Sequence, residues 1–298
     1  MTIPQFKHPT YICPMCLRRY HAVDDGGDNP LTLEDAPPKA LGGKPVVLTC
    51  KKCNNIAGSK IDVHLVERLR EIDDRQFLPG TEVKVKIKVG DETFRATISV
   101  DEKGTPSVHH SEKNNHPKKL AEAMKQLTKG SVINPEFFSR VIPENLEYAL
   151  LKTGYILAFQ KLGYSLMLDP CFDVVRQQLQ DPETPIYPTG FWLTYTVTLP
   201  EGIFISTAKG EECLVAIFVV DTGKTKHQFL VILPLPVRPL DEVIANINAK
   251  REATGQFALE LYPYEQKIET YTTSLENIKL MRKWIADRAP GWKGEVSA

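Results

Sequence analysis

Hydrophobic and polar positions alternate strongly over residues 81–89. Val83, Val85, Ile87 and Val89 fall on one face and Glu82, Lys84, Lys86 and Lys88 on the other, the period-two pattern of a half-buried strand. Gly90-Asp91 turns this run into a second one over 93–100, and Gly104 leads to a third near Ser107-Val108, so residues 81–110 are predicted as a β-meander. Strands return at 191–199, 202–208, 213–221 and 228–233, separated by turn clusters such as Pro200-Glu201-Gly202 and Thr222-Gly223-Lys224, and this spacing predicts an antiparallel sheet. Helical periodicity fills the interval. A lysine-rich helix is predicted over 116–129, ending at Gly130. Pro143-Glu144 opens a longer helix through Leu146, Leu150, Leu151, Ile156, Leu157 and Phe159, apolar over much of its circumference and so expected to be central and buried. Further helices are predicted from Asp169-Pro170 to about Gln180, at 241–252 and at 275–288.

The first sixty residues are organised differently, by cysteines. Cys13-Pro14-Met15-Cys16 and Cys50-Lys51-Lys52-Cys53 are two knuckles of the same spacing. Leu17 to His21 returns from the first knuckle as a strand, 24–30 is a loop by composition, and Leu31-Thr32-Leu33 and Val46 to Thr49 are short strands. Ser59, with Asp62 three residues on, resembles a helix cap, and Ile61, Leu65, Leu69 and Ile72 then form one helical stripe through about residue 74. Zinc favours four soft ligands in a tetrahedron, and a two-residue spacer lets both sulfurs of a knuckle face one ion. The four cysteines are therefore expected to bind a structural Zn²⁺ with no open coordination position. Cys171 and Cys213 stand alone among apolar neighbours and read as small buried hydrophobes.

Composition adds limits. The chain has 298 residues, 42% hydrophobic and 25% charged, which suits a soluble α+β protein. The expected organisation is a zinc-stapled module over 1–78 and a larger domain of antiparallel sheet and helices over 79–298. No apolar run is long enough to span a membrane and no leader pattern opens the chain, so a cytoplasmic location is expected, where paired cysteines more often hold metal than form disulfides. With 37 basic and 37 acidic side chains the net charge is zero, which argues against a protein that coats nucleic acid non-specifically but leaves room for a local basic groove.

The stretch Cys13-x-x-Cys16, then Leu33-Glu34-Asp35-Ala36-Pro37-Pro38-Lys39-Ala40-Leu41-Gly42-Gly43, then Leu48-Thr49-Cys50-x-x-Cys53-Asn54-Asn55-x-x-Gly58 resembles the HNH endonuclease family, in its four-cysteine zinc-binding form. The resemblance covers about residues 11–75 and implies a ββα-metal finger. It also implies that Glu34 and Asn54 hold a divalent cation, Mg²⁺ or Mn²⁺, against a scissile phosphate. Asp35 stands where the family has its general-base histidine, and Pro45 holds about the place of the family's middle asparagine. Three roles are open to Asp35: an additional metal ligand, a base whose pKa is raised by Glu34 and burial, or the mark of a finger that kept its fold and lost catalysis. His21 and His64 are the alternative bases, each also readable as a partly buried, hydrogen-bonded histidine. His109-His110, near a turn outside the finger, reads as an exposed pair. Lys39, Lys44, Lys51, Lys52 and Lys60, with Arg18 and Arg19, would meet a phosphate backbone, and Lys113, Lys118, Lys119, Lys125 and Lys129 form a second basic stripe or a solvated helix face.

Two functions follow from the resemblance. One is a metal-dependent endonuclease acting on DNA, with RNA as the other possible substrate and the larger domain serving target selection or a protein partner. The other is a non-catalytic zinc module that binds nucleic acid or a protein.

Overall fold

The computed structural model describes residues 10–21, 27–110, 113, 115–127, 132–194, 199–254, 259–264, 275–289 and 291. Asp24, Asp25 and Lys129 lie outside them. Contacts divide the chain into two compact units, one of Met1–Leu65 with Ile142–Ala298 and one of Val66–Val141. The composition breaks near Pro79 suggest a boundary at 78/79; the contacts draw theirs at Leu65/Val66 and again at Val141/Ile142. Mixed helices and antiparallel sheets make the fold α+β.

In the first unit the chain opens as a small hairpin of β1 (Thr10–Ile12) and β2 (Arg19–His21), with Tyr11 opposite Tyr20. The first knuckle is the turn of this hairpin. The Cys13 N–H donates to the Arg18 carbonyl and the Leu17 N–H to the Cys13 carbonyl, both at 2.9 Å, and Leu17 takes a positive φ of 60° to close the turn. A second hairpin pairs β3 (Leu31–Ala36) with β4 (Lys44–Cys50), with Thr32 opposite Thr49 and Glu34 opposite Val47. A bulge between Glu34 and Asp35 brings Asp35 opposite Pro45, a residue that cannot donate to the ladder. Its tip folds back so tightly that a Cβ on Gly43 would lie 1.6 Å from the Pro37 carbonyl oxygen.

From the second knuckle the chain enters a helix at once: α1 (Lys51–Ile56), a π-helical stretch Ala57–Asp62, then α2 (Val63–Arg75). Ser59, read from the sequence as a cap, lies inside this run, and its hydroxyl donates to the Asn55 carbonyl at 2.7 Å. The knuckle, rather than a serine cap, sets where the helix starts.

The second unit is a four-stranded antiparallel sheet with order β7-β6-β5-β8, made of β5 (Glu82–Val89), β6 (Glu92–Val100), β7 (Pro106–His110) and β8 (Pro135–Phe137), with helix α3 (Pro117–Gln126) between β7 and β8 in the chain. Val85, Ile87, Ala96 and Ile98 form its core, and Phe94 packs beside them on Leu120 and Ala123 of α3. The alternation in β5 is therefore realised as written in the sequence.

The first unit resumes with α4 (Pro143–Leu162), α5 (Tyr164–Met167) and α6 (Asp173–Gln180). A five-stranded sheet follows, with α7 (Leu240–Thr254) between its fourth and fifth strands in the chain: β9 (Trp192–Thr194), β10 (Gly202–Ser206), β11 (Cys213–Asp221), β12 (Lys226–Leu233) and β13 (Leu261–Pro263), in the order β13-β10-β11-β12-β9. Helix α8 (Leu275–Arg288) closes the described chain.

As its pattern predicts, α4 is central, with every residue from Tyr148 to Ile156 buried. Gly154 lets its backbone reach the sheet: a Cβ there would meet Val231 at 3.1 Å and Ala216 at 3.2 Å. The knuckle hairpin is fastened to the same layer. The Tyr155 hydroxyl donates to the Pro14 carbonyl at 2.7 Å, the Gln180 amide to the Met15 carbonyl at 2.9 Å, and the Tyr164 hydroxyl bonds both the N–H and the carbonyl of Ile12 at 2.9 Å. Among the described residues no helix is long and apolar enough to cross a membrane.

The hairpin tip gives a direct test. Gly43→Ala should destabilise the protein by about 1–3 kcal/mol, because the methyl has no space. Gly58→Ala, where an added Cβ meets nothing within 4 Å, should raise stability by about 0.5–1 kcal/mol through the better helix propensity of alanine. Urea unfolding of the two variants beside the parent measures both.

Candidate functional site

The two knuckles bring Cys13, Cys16, Cys50 and Cys53 together, with all four sulfurs within 4.8 Å of one another. A tetrahedral zinc with Zn–S bonds of about 2.3 Å places its sulfurs roughly 3.8 Å apart. The Cys16 and Cys50 sulfurs are 3.7 Å apart, so the set already has that size. Cys13, Cys50 and Cys53 are buried and Cys16 is half-buried, and the Cys50 N–H donates to the Cys13 sulfur at 3.3 Å. Crowding alone sets the thiols against one another. Hydrogen bonds from Cys13 and Cys53 lower Cys16 to about 2, while contact with Cys13 and Cys16 drives Cys53 upward. A dipositive ion would let all four be thiolates. The donors therefore fit Zn²⁺, and with four protein ligands its role there would be structural. Among the described residues this quartet is the one group of three or more His, Cys, Asp or Glu side chains whose ligand atoms converge as a metal site would. Burial pushes the thiols of Cys171 and Cys213 well above their usual range, as inert cysteines require.

Beside the quartet lies a second cluster, and it is ionic. Glu34 points inward from β3 and is 2% exposed. One of its oxygens accepts from Lys152 Nζ at 2.6 Å and the other from the Thr49 hydroxyl at 3.1 Å. Lys152 stands on the buried stretch of α4, fully inaccessible, and also donates to Asp62 Oδ2 at 2.6 Å. Asp62 comes from the end of the π-helical stretch, and its Oδ1 is buried with no hydrogen-bond partner among the described residues. A single ammonium is thus shared by two carboxylates. Burial opposes the lysine charge, but Asp62 and Glu34 together outweigh it and hold the Lys152 pKa above its ordinary value. Burial raises Asp62, more than Lys152 lowers it, with Glu34 and Asp35 adding repulsion. The trio carries an excess of negative charge.

The other residues singled out in the sequence fall around this pair of clusters. Asp35 is half-buried on the bulge. The Asn54 side-chain amide donates to the Thr32 hydroxyl at 3.0 Å and the Leu33 carbonyl at 2.9 Å, tying α1 to β3. His64 is half-buried on α2, and its Nδ1 accepts the Ile142 N–H at 3.1 Å. His21 ends β2 opposite Thr10, and its side chain lies outside the described residues. Lys39, Lys44, Lys51, Lys52 and Lys60 are all exposed, as are Arg18 and Arg19; Lys60 pairs with Glu183 at 2.6 Å.

As they stand, these side chains do not fit a divalent cation between Glu34 and Asn54. Both Glu34 oxygens are engaged, and a buried ammonium already occupies the cation's side of the carboxylate. Sequence reasoning missed Lys152 and read Asp62 as a capping acid. One signal was available: Lys152 is the lone charge in an apolar run from Tyr148 to Phe159. No known family, curated protein or solved structure matches the chain.

Two outcomes are expected. Purified protein should hold one zinc per chain by atomic emission, and Cys13→Ser or Cys53→Ser should lose it and melt at lower temperature. Lys152→Met should cost about 3–5 kcal/mol in chemical unfolding, because it leaves two buried carboxylates unpaired. Adding Glu34→Gln to that variant should recover part of the loss, whereas independent sites would show additive costs.

Proposed function

We propose that this chain binds nucleic acid through a zinc-stabilised finger that does not cleave it. One observation carries the reading: Glu34, the carboxylate that would hold a catalytic cation, is buried and ion-paired with Lys152. A carboxylate in that state has no lone pair directed at solvent, and a phosphodiester could not reach it without opening the helix–finger contact. The finger's outer surface supports the binding half of the reading. Arg18, Arg19, Lys39, Lys44, Lys51, Lys52 and Lys60 are exposed, and among the described residues of the finger Asp28 is an exposed acid that offsets them only in part. A polyanion meets such a surface favourably and in a salt-dependent way.

A hydrolytic reading has its own support. Glu34, Asp35 and Asp62 lie near enough to repel one another, and Asn54 stands beside the same strand. With Lys152 withdrawn, that set would offer hard oxygen ligands to Mg²⁺ or Mn²⁺, and the reading would make the chain a metal-dependent endonuclease with Asp35 in the base position.

Incubation of the zinc-loaded protein with supercoiled plasmid and Mg²⁺ or Mn²⁺ separates the two. No nicking is expected from the parent or from Asp35→His, since the substitution leaves the Glu34–Lys152 pair in place. Metal-dependent nicking that disappears in Glu34→Ala would overturn this reading in favour of hydrolysis. In fluorescence anisotropy the parent should bind labelled oligonucleotides with an affinity that falls as salt rises. Charge reversal at Lys51 and Lys52 should reduce the salt slope by about 1–2, if each lysine meets a phosphate.

A further inference from the structure

The sheet of the second unit has one covered face and one open face. Cross-strand pairing fixes which residues share the open side: Lys84 stands opposite Thr97, Lys86 opposite Arg95 and Glu136, Lys88 opposite Thr93, and Thr97 opposite His109. This face is therefore three lysines, one arginine, a row of hydroxyl and imidazole groups, and Glu82 and Glu136. Ser99, Ser107 and His109 hydrogen-bond one another at 2.9–3.0 Å, a fixed polar surface at one side of the sheet. Among the described residues, Lys84, Lys86, Lys88 and Arg95 form no ion pair. Lys86 turns instead to the ring of Phe138, 5.0 Å from its centroid, and Phe138 is 47% exposed.

Two features make this more than a solvated face. Like charges placed directly opposite on neighbouring strands destabilise a sheet, and Lys86 with Arg95 is such a pair. Glu136 on the other flank answers one of these two charges, and the cation left over is available to a ligand outside the fold. The lysines also repeat at every second residue of β5, about 6.7 Å apart along the strand. That is a regular row of cations with an aromatic ring beside it, the combination that a repeating anion with stacking bases would meet. Duplex DNA fits poorly. Four strands span roughly 14 Å between their outer axes, wider than the roughly 12 Å major groove, and among the described residues no helix or two-stranded ribbon projects from this face.

We propose that the open face of this sheet is a docking surface for single-stranded nucleic acid. Lys84, Lys86, Lys88 and Arg95 contact successive phosphates, and Phe138 receives a base. The inference rests on the nucleic-acid reading above and adds the strand class and a surface outside the finger.

The test uses the full zinc-loaded chain, fluorescein-labelled oligothymidylate of about 16 nucleotides and a duplex of the same length, followed by anisotropy across a salt series. Lys86→Glu should weaken binding about tenfold and reduce the salt slope by roughly 0.7. The same variant should melt within a few degrees of the parent, because glutamate gains attraction to Arg95 and loses it to Glu136. Phe138→Ala should weaken single-strand binding roughly fivefold or more with an unchanged salt slope. Lys125→Glu, on the helix that covers the other face, should bind as the parent does. Parent binding that Lys86→Glu and Phe138→Ala leave intact would overturn the surface while sparing the nucleic-acid reading. Equal weakening by Lys125→Glu would reduce the effect to net charge and overturn it as well. Preference for the duplex would overturn the strand class, and a parent that binds neither oligonucleotide would overturn both this proposal and the reading beneath it.

Discussion

An ammonium group with no access to water must be neutralised where it stands, because the desolvation of a lone buried charge amounts to several kcal/mol. Lys152 meets that condition by drawing in two carboxylates from different parts of the finger, Glu34 from a strand and Asp62 from the end of the π-helical stretch. The finger hairpin, the finger helix and the central helix are thereby held in one register. A hairpin shifted by one residue would turn Glu34 away from Lys152 and leave the trio incomplete. Packed apolar residues of similar volume would hold the layers together as strongly. What the ion trio adds is selectivity for this one arrangement, with Thr49 fixing the second oxygen of Glu34 so that the carboxylate cannot turn away.

The same constraint divides the work of the N-terminal segment. Four sulfurs gather the knuckles, and their spacing already matches a tetrahedral ion. The carboxylate beside them, a cation ligand in the resemblance to HNH endonucleases, is ion-paired with Lys152. Asn54 also ties into the frame, its two side-chain N–H groups donating to β3. Asp35, the residue that departs from the family pattern, keeps partial exposure on the bulge. The four cysteines and the Lys152 cluster are thus separate devices within one segment, the first gathering the knuckles and the second tying them to the central helix.

How much of this was legible in the sequence depends on the range of the interaction. Alternation in β5 and β6, the continuous apolar run of β11 and the all-round burial of α4 are local patterns, and the fold realises them. The cysteine quartet was legible because two-residue spacers are local too. The Glu34–Lys152 pair spans 118 positions and the Lys152–Asp62 pair spans 90, and no periodicity encodes either. Short edge strands such as β8 and β13 escaped for a related reason: three residues held by a neighbour far away in sequence have no pattern of their own. Ser59 was misread because its local cap signature is real, while the knuckle upstream had already begun the helix.

Lysine is used in two opposed ways in this chain, and the contrast says which lysines carry information. Among the described residues of the first unit a single lysine is buried, with two carboxylates drawn to its charge. On the open sheet face several cations stand in water, where isolation costs little and a solvated surface would be the ordinary explanation. Exposure alone therefore argues nothing. The Lys86–Arg95 opposition argues more, because like charges face each other directly across the ladder. Glu136 stands across from Lys86 on the other side, yet the lysine leans over Phe138 instead. A side chain that passes over an available acid in favour of an aromatic ring leaves the face positively charged, and that is the charge an external polyanion would meet.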